Sequence, residues 1–454
     1  MTTSLLSVNP FSHATVGSLP LTPLSEIPAI VGRARLAAGG WKSISVTERI
    51  ACLKPAAARL KMEAARLGGL SSAEMGKPLV EAIGEANYCA DGFVAELESI
   101  AAALQPFMRE DERTISTIHF EPLGVVAAIT PWNFPILMLQ QSVLPALIAG
   151  NTVVTKPSEV SPLVAHEYYA ILNEFLPKDV LINVTGDGAQ GKALVASNVD
   201  LIVFTGSRTT GAHIAAAAGA RLARVILELG GKDPLVVLDD ADIASAADFA
   251  ARNSFRNAGQ VCVSTERIYV DRKVARAFES AVVERAALLK LGDPADPTTS
   301  IGPMSSARQK SLVERHIQGA LKDGARLLFG NRTQEGNFVE PTVLAGVNHS
   351  MEIMREETFG PVACIMEFDS IDQAVSLAND SPFGLGAAVF GADESRATNV
   401  AERLSTGMVG VNRGCGGAEG CPWVGAKQSG VGFHSGVEGH RQFAQFRVLS
   451  KKKS

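Results

Sequence analysis

Val125-Val126-Ala127-Ala128-Ile129 is a short, unbroken apolar run, and it recurs in kind at Thr152–Thr155, Leu201–Phe204 and Leu235–Leu238. Runs of this length and β-branched content read as strands buried on both faces. Between them lie the longer patterns Leu137–Ala149, Ser161–Phe175 and Gly211–Ala220, which read as helices. Strand and helix in strict alternation predict a parallel sheet with crossover helices, an α/β architecture. Working outward, a second series follows: helix at Ala241–Asn257, strand at Arg267–Val270, and helices at Ala275–Leu289 and Met304–Asp323. Two segments differ. Thr114–Phe120 alternates with period two, as a half-exposed strand does, and Gln442–Ser450 has the same character. Such strands pair either with another subunit or within a peripheral sheet of one chain, and the pattern leaves both open.

A chain of 454 residues exceeds one ordinary core, so two or three domains are expected. Net charge is −5 and the basic residues are dispersed, which gives no basic face for nucleic acid. Lys451, Lys452 and Lys453 form the only dense run and read as a solvated tail. The six cysteines, at 52, 89, 262, 364, 415 and 421, make no Cys-x-x-Cys pair and no zinc-ligand spacing. No metal is therefore expected, and reduced thiols in the cytoplasm are the simpler expectation. Met1–Phe11 lacks the marks of a leader, and Ile136–Val154 is too interrupted by Gln140, Gln141, Pro145 and Asn151 to span a membrane.

Five stretches carry chemistry. Phe255-Arg256-Asn257-Ala258-Gly259-Gln260-Val261-Cys262 puts a thiol on a tight connection between helix and strand, where amide donors can favour a thiolate; an inert buried thiol is the plainer reading. Glu228-Leu229-Gly230-Gly231-Lys232 ends an apolar strand with a carboxylate beside two glycines, suited to a general base or merely to a solvated turn. In Pro131-Trp132-Asn133-Phe134-Pro135 two prolines fix the backbone around an amide that could serve an oxyanion hole. Phe204-Thr205-Gly206-Ser207-Arg208-Thr209-Thr210-Gly211 leads from strand to helix, where N–H groups suit a pyrophosphate, although it is not the G-x-G-x-x-G fingerprint. Lys156-Pro157-Ser158-Glu159 follows another strand and could hold ribose hydroxyls. Gly186–Ala193 nearly matches a P-loop, but Ala193 stands where magnesium needs a hydroxyl, so ATP hydrolysis is rejected.

Taken together, in this order and spacing, these motifs resemble the aldehyde dehydrogenase superfamily. The resemblance runs from Trp41-Lys42 through Glu74-Met75-Gly76-Lys77-Pro78 and Glu356-Glu357-Thr358-Phe359-Gly360-Pro361 to beyond Ala426-Lys427-Gln428-Ser429-Gly430. It implies a Rossmann-like cofactor domain (1–105 and 121–229), an α/β catalytic domain (230–430) and a small β oligomerisation flap (106–120 and 431–454). It implies Cys262 as nucleophile, Asn133 as oxyanion donor and Glu228 as the base for deacylation. The cofactor, NAD with NADP as an alternative, would be held by Thr130, Pro131, Trp132, Lys156, Ser158, Glu159, Gly186, Thr205, Gly206, Ser207, Gly211, Leu229, Gly230, Glu357 and Phe359. A homodimer or homotetramer acting on a small aldehyde is implied as well. Retention of Glu228 favours hydrolysis over transfer to coenzyme A.

The chain departs from the family where Pro-Phe-Gly-Gly and Gly-Arg-Glu are usual: it reads Pro422-Trp423-Val424-Gly425 and Gly432-Phe433-His434. Arg256 matches one of two arginines that bind the distal carboxylate in succinate-semialdehyde dehydrogenases. Gln141 replaces the other, and Ser264 replaces their second, redox-active cysteine. A semialdehyde is thus one expected substrate and a neutral aldehyde the other, with Arg256 then a salt-bridged structural residue.

Overall fold

The computed structural model describes residues 3–453, so Met1 and Thr2 of the Met1–Phe11 segment lie outside the described residues. Its architecture is α/β, built on two large, mostly parallel sheets. The first has the strand order Gly430–Val431, Arg224–Leu229, Leu201–Gly206, Val125–Thr130, Thr152–Pro157, Leu181–Asn183. All neighbours are parallel except Gly430–Val431, which is antiparallel to Arg224–Leu229. The strands are buried along their length because helices cover both faces; Val125–Ala128 and Val153–Val154 are fully inaccessible. Strand order reverses between Val125–Thr130 and its neighbour Leu201–Gly206. The carboxyl ends of strands at such a reversal splay their loops apart and open a crevice for a ligand.

The second sheet runs Arg326–Phe329, Thr342–Ala345, Val362–Phe368, Thr265–Asp271, Asp233–Val237, Gly386–Phe390, Met408–Val411, with only Arg326–Phe329 antiparallel. Gly230, Gly231 and Lys232 alone connect Arg224–Leu229 to Asp233–Val237. The C-terminal end of a strand in one sheet is thereby held against the N-terminal end of a strand in the other. Everything chemically interesting lies at this junction.

The expected half-exposed strands form a third, antiparallel sheet: Ala444–Lys452 pairs with Thr114–Pro122, which pairs with Phe107–Glu110. Not all of 431–454 belongs to it. Gly430–Val431 edges the first sheet, and the helix Gly436–Arg441 packs on the helix Leu79–Ala103. Two predicted helices begin elsewhere than expected, one earlier and one later. Pro135 begins its helix two residues ahead of Leu137, because its fixed φ suits a first turn, and Ser306 caps the helix Ala307–Lys322 three residues after the expected Met304. Among the described residues all six cysteines are free, no cluster of residues suits a metal ion, and no helix is long and apolar enough to cross a membrane.

Candidate active site

A cavity of about 270 Å³ at the junction is lined by Asn133, Glu228, Cys262 and Glu357, with Trp132, Gly230 and Phe359 beside them. Residues far apart in sequence converge there because each sits at a strand end.

Cys262 follows the helix Ile243–Phe255 and precedes the strand Thr265–Asp271. The intervening turn is unusual: Asn257 (φ 51°), Ala258 (φ 55°) and Gly259 (φ 72°) are consecutive left-handed residues. Non-glycine residues in this region are strained and persist only where surroundings hold them. Here they are held. A Cβ on residue 259 would lie 2.1 Å from the Gly360 carbonyl oxygen, so only glycine fits. The Gln260 carbonyl accepts from both Asn133 Nδ2 and Asn257 Nδ2, each at 3.2 Å, while Gln260 Oε1 accepts from the Ser305 N–H at 3.0 Å. Asn133 is thus fixed to the nucleophile turn itself. From the other side Glu85 caps the following helix, its Oε1 accepting from the N–H groups of Ile136 at 3.0 Å and Leu137 at 3.1 Å, and the Lys77 ammonium lies 3.9 Å over the Phe134 ring.

One expectation for the thiol does not hold. Instead of favouring a thiolate, its surroundings raise the Cys262 pKa well above the ordinary value: burial comes first, followed by the charges of Glu228 and Asp233. The thiol needs a base to lose its proton, and one is adjacent. Glu228 is buried, and burial raises its carboxyl to about 7, against hydrogen bonds from Trp423 and Cys262 that pull it down. Glu357 rises further, to about 8, through burial and the neighbouring Glu266 charge, although the Gly231 N–H donates to it at 3.1 Å. Buried carboxyls poised near neutrality are what proton transfer at physiological pH requires.

The crevice at the strand-order reversal is a second, larger cavity of about 750 Å³, lined by Thr130, Trp132, Lys156, Ser158, Glu159, Thr205, Gly206 and Ser207, among others. It shares Pro131, Trp132, Thr205, Gly206 and Ser207 with the first, so the two are continuous. A dinucleotide fits this shape. Ser207 caps the helix Arg208–Gly219 and leaves its first N–H groups pointing at the crevice, where an anion is favoured. A Cβ on residue 230 would come within 2.3 Å of the Glu357 carboxylate, so the bare backbone is what lets that carboxylate lie against the strand end. Lys156 Nζ sits 3.2 Å from Glu159 Oε2 at the rim.

Some expected residues stand elsewhere. Gly211 lines neither cavity; a Cβ there would meet Leu229 at 2.5 Å, so it is a packing glycine that brings helix to sheet. Gly186 also lies off both linings, and from the rejected P-loop the residues that reach the crevice are Gly188, Gly191 and Lys192. Arg256 lines neither: its guanidinium lies 3.5 Å from Glu81 and 5.3 Å from the centre of the Phe134 ring. Gln141 belongs to a separate water-sized pocket behind Glu228, with Met138, Ser142 and His434.

Several supporting residues escaped the sequence reading. Lys232 and Glu266 form a buried ion pair, and Glu266 accepts from the N–H groups of Thr358 at 2.8 Å and Phe359 at 2.9 Å. The pair thereby holds the segment that carries Glu357. A signal existed: Thr265-Glu266-Arg267 places adjacent opposite charges inside an otherwise apolar strand, where charge is costly unless partnered. Glu85 gave none, being one of many helical acids.

The chain is similar to known proteins along nearly its whole length. The sequence profile described as "Aldehyde dehydrogenase family" matches residues 2–449. The chain is 37% identical over 460 residues to a betaine aldehyde dehydrogenase 1 of Oryza sativa subsp. japonica, covering 98% of this chain and 91% of the relative. It is 36% identical over 450 residues to a probable succinate-semialdehyde dehydrogenase [NADP(+)] of Sinorhizobium fredii, covering 97% and 91%. Among solved structures, a betaine aldehyde dehydrogenase of Staphylococcus aureus in complex with NAD+ superposes with a TM-score of 0.94 at 32% identity, covering 98% and 91%.

Proposed function

This chain belongs to the aldehyde dehydrogenase family and is an NAD(P)-dependent oxidoreductase; from that premise we propose how its residues divide the work. The observation that carries the reading is the meeting of Cys262, Glu228 and Asn133 on one cavity that opens into the cofactor crevice. Glu228 as carboxylate takes the thiol proton, and Cys262 Sγ then bonds to the aldehyde carbon. The oxyanion so formed receives the Cys262 backbone N–H and the Asn133 amide, which still has one N–H free of the Gln260 carbonyl. When bound, the nicotinamide supplies the acceptor for the hydride lost in forming the thioester. After hydride transfer Glu228 gives the thiol proton up to solvent and is a carboxylate again; it then takes a proton from water as the water oxygen bonds to the thioester carbon, and the C–S bond breaks to return the thiolate and release the acid. Lys156 and Glu159 would hold the adenosine ribose, Gly206 and Ser207 the pyrophosphate, and Glu357 and Phe359 the nicotinamide end.

Glu228→Gln tests the assignment of the base. The product burst should remain at about one NADH per site where the thiol can still ionise at high pH, while steady-state turnover falls about 10²–10⁴-fold. Turnover at the wild-type rate would assign the base elsewhere.

The substrate we propose is an aldehyde whose distal group is neutral or cationic. Among the described residues no lysine or arginine lines the Cys262 cavity, and Arg256 is already engaged by Glu81 and Phe134. Betaine aldehyde and aminobutyraldehyde should therefore exceed succinic semialdehyde in kcat/KM. The reverse ranking, with a selective loss on succinic semialdehyde in Arg256→Leu, would restore the semialdehyde reading. For assembly we propose a homodimer or homotetramer built through the third sheet, which exposes Met108, Phe446, Val448 and Leu449. Charged substitutions at Phe446 and Val448 should yield monomers in sedimentation.

A further inference from the structure

The C-terminal segment brings Trp423 and His434 against the base. Trp423 Nε1 donates to Glu228 Oε1 at 3.3 Å. Trp423 lies opposite His434 in a two-stranded pairing of Trp423–Val424 with Phe433–His434. The two rings stack, with centroids 6.4 Å apart and planes 18° from parallel. His434 is itself buried, and burial holds its imidazole neutral with a pKa of about 4, so it braces the indole without adding charge. Every other group facing Glu228 either leaves its charge unaided or opposes it: the Glu357 carboxyl repels it, and Ser142, Gln141 and His434 in the pocket behind are neutral. Among the described residues the other carboxylate oxygen, Glu228 Oε2, is buried with no hydrogen-bond partner.

We propose that Trp423, braced by His434, is a positioning residue that holds the Glu228 carboxylate in place for deacylation. The inference rests on Glu228 being the base. An indole N–H neither gains nor loses a proton at neutral pH, so Trp423 orients the base and favours its charged form without replacing it. The indole holds Oε1, which leaves Oε2, without a hydrogen-bond partner, to receive a proton from water.

Trp423→Phe keeps the ring stack and removes the donor. Hydrogen bonds to charged groups suggest roughly a tenfold fall in steady-state kcat, and about one pH unit of upward movement in its ascending limb. The NADH burst should keep its amplitude. In a Glu228→Gln background the same change should cost less than about twofold, since there is no longer a base to position. A loss as large in that background as in wild type, or an unmoved pH limb, overturns the proposal. Wild-type turnover by Glu228→Gln alone overturns both the proposal and the assignment of the base on which it rests. A measurement on the unaltered protein guards against a variant that fails to fold. One of the three indole N–H resonances should titrate with an apparent pKa near 7, and should stop doing so in Glu228→Gln. If none of the three moves, Trp423 does not hold Glu228.

Discussion

The larger cavity and the smaller one share a wall at Pro131 and Trp132 yet are made of opposite materials. The 750 Å³ crevice is lined by glycines, hydroxyls and a helix start, and its one ion pair, Lys156–Glu159, has a half-exposed acid. The 270 Å³ cavity holds two acids raised toward neutrality, a thiol raised above its ordinary range and a turn with three left-handed residues. Shape and backbone suffice to recognise a cofactor, at little cost to the fold. Bond-making needs groups held out of water in charge states they would otherwise refuse, and strain and buried ion pairs gather around them.

If that contrast is right, the heaviest losses come from the small cavity. Cys262→Ala should reduce NADH formation by on the order of 10³-fold or more while NAD binding, measured by fluorescence quenching, stays within a few-fold. A parallel loss of binding would mean that the two cavities are not separable. Asn133→Ala should lower kcat by about 10²–10³-fold, the worth of one oxyanion donor; a change confined to KM would make it a substrate-binding residue instead.

Glu96 asks whether a raised carboxyl marks chemistry or only burial. It lies outside both linings, accepts from Gln140 Nε2 at 2.6 Å, and is pushed up to about 7 by burial. A folded pKa above the unfolded value of 4.5 means stability contributed fully below about pH 4.5 and lost as pH rises through 7. Glu96→Gln should remove that loss, up to about 3 kcal/mol between pH 5 and 8, with kcat unchanged. A fall in kcat would bring Glu96 into the mechanism. The smallest effect belongs to the crevice. Wild type should prefer NAD, and Glu159→Gln should narrow its preference over NADP by at most about tenfold, because the carboxylate is half in water. An unmoved ratio would free Glu159 from the ribose.

What was legible in the sequence follows the same divide. Strands buried on both faces announce themselves as apolar runs, so Val125–Ile129 and Leu201–Phe204 appear nearly at their observed bounds. Asn133 stands out because two prolines flank it, and Cys262 because family motifs occur in register around it. Long-range partners leave no such mark. Nothing near Cys262 says that Asp233 and Glu228 will raise its pKa, and nothing near Glu228 shows an indole arriving from residue 423. Gly211 and Gly206 look alike in a motif, and only the packing of helix on sheet tells the spacing glycine from the one that faces the cavities.

The third sheet bears on how the chain is made. Ser116 and Ser450 face each other across it, 334 residues apart. At ribosomal speeds of about 5–20 residues per second, the strand Thr114–Pro122 emerges on the order of half a minute before its partner exists. Through that interval its outer edge presents unpaired amides to every other nascent chain nearby. The alternation of threonine, serine and histidine with isoleucine along Thr114–Phe120 then acts as a safeguard during synthesis, keeping a waiting edge wet until the last strand arrives.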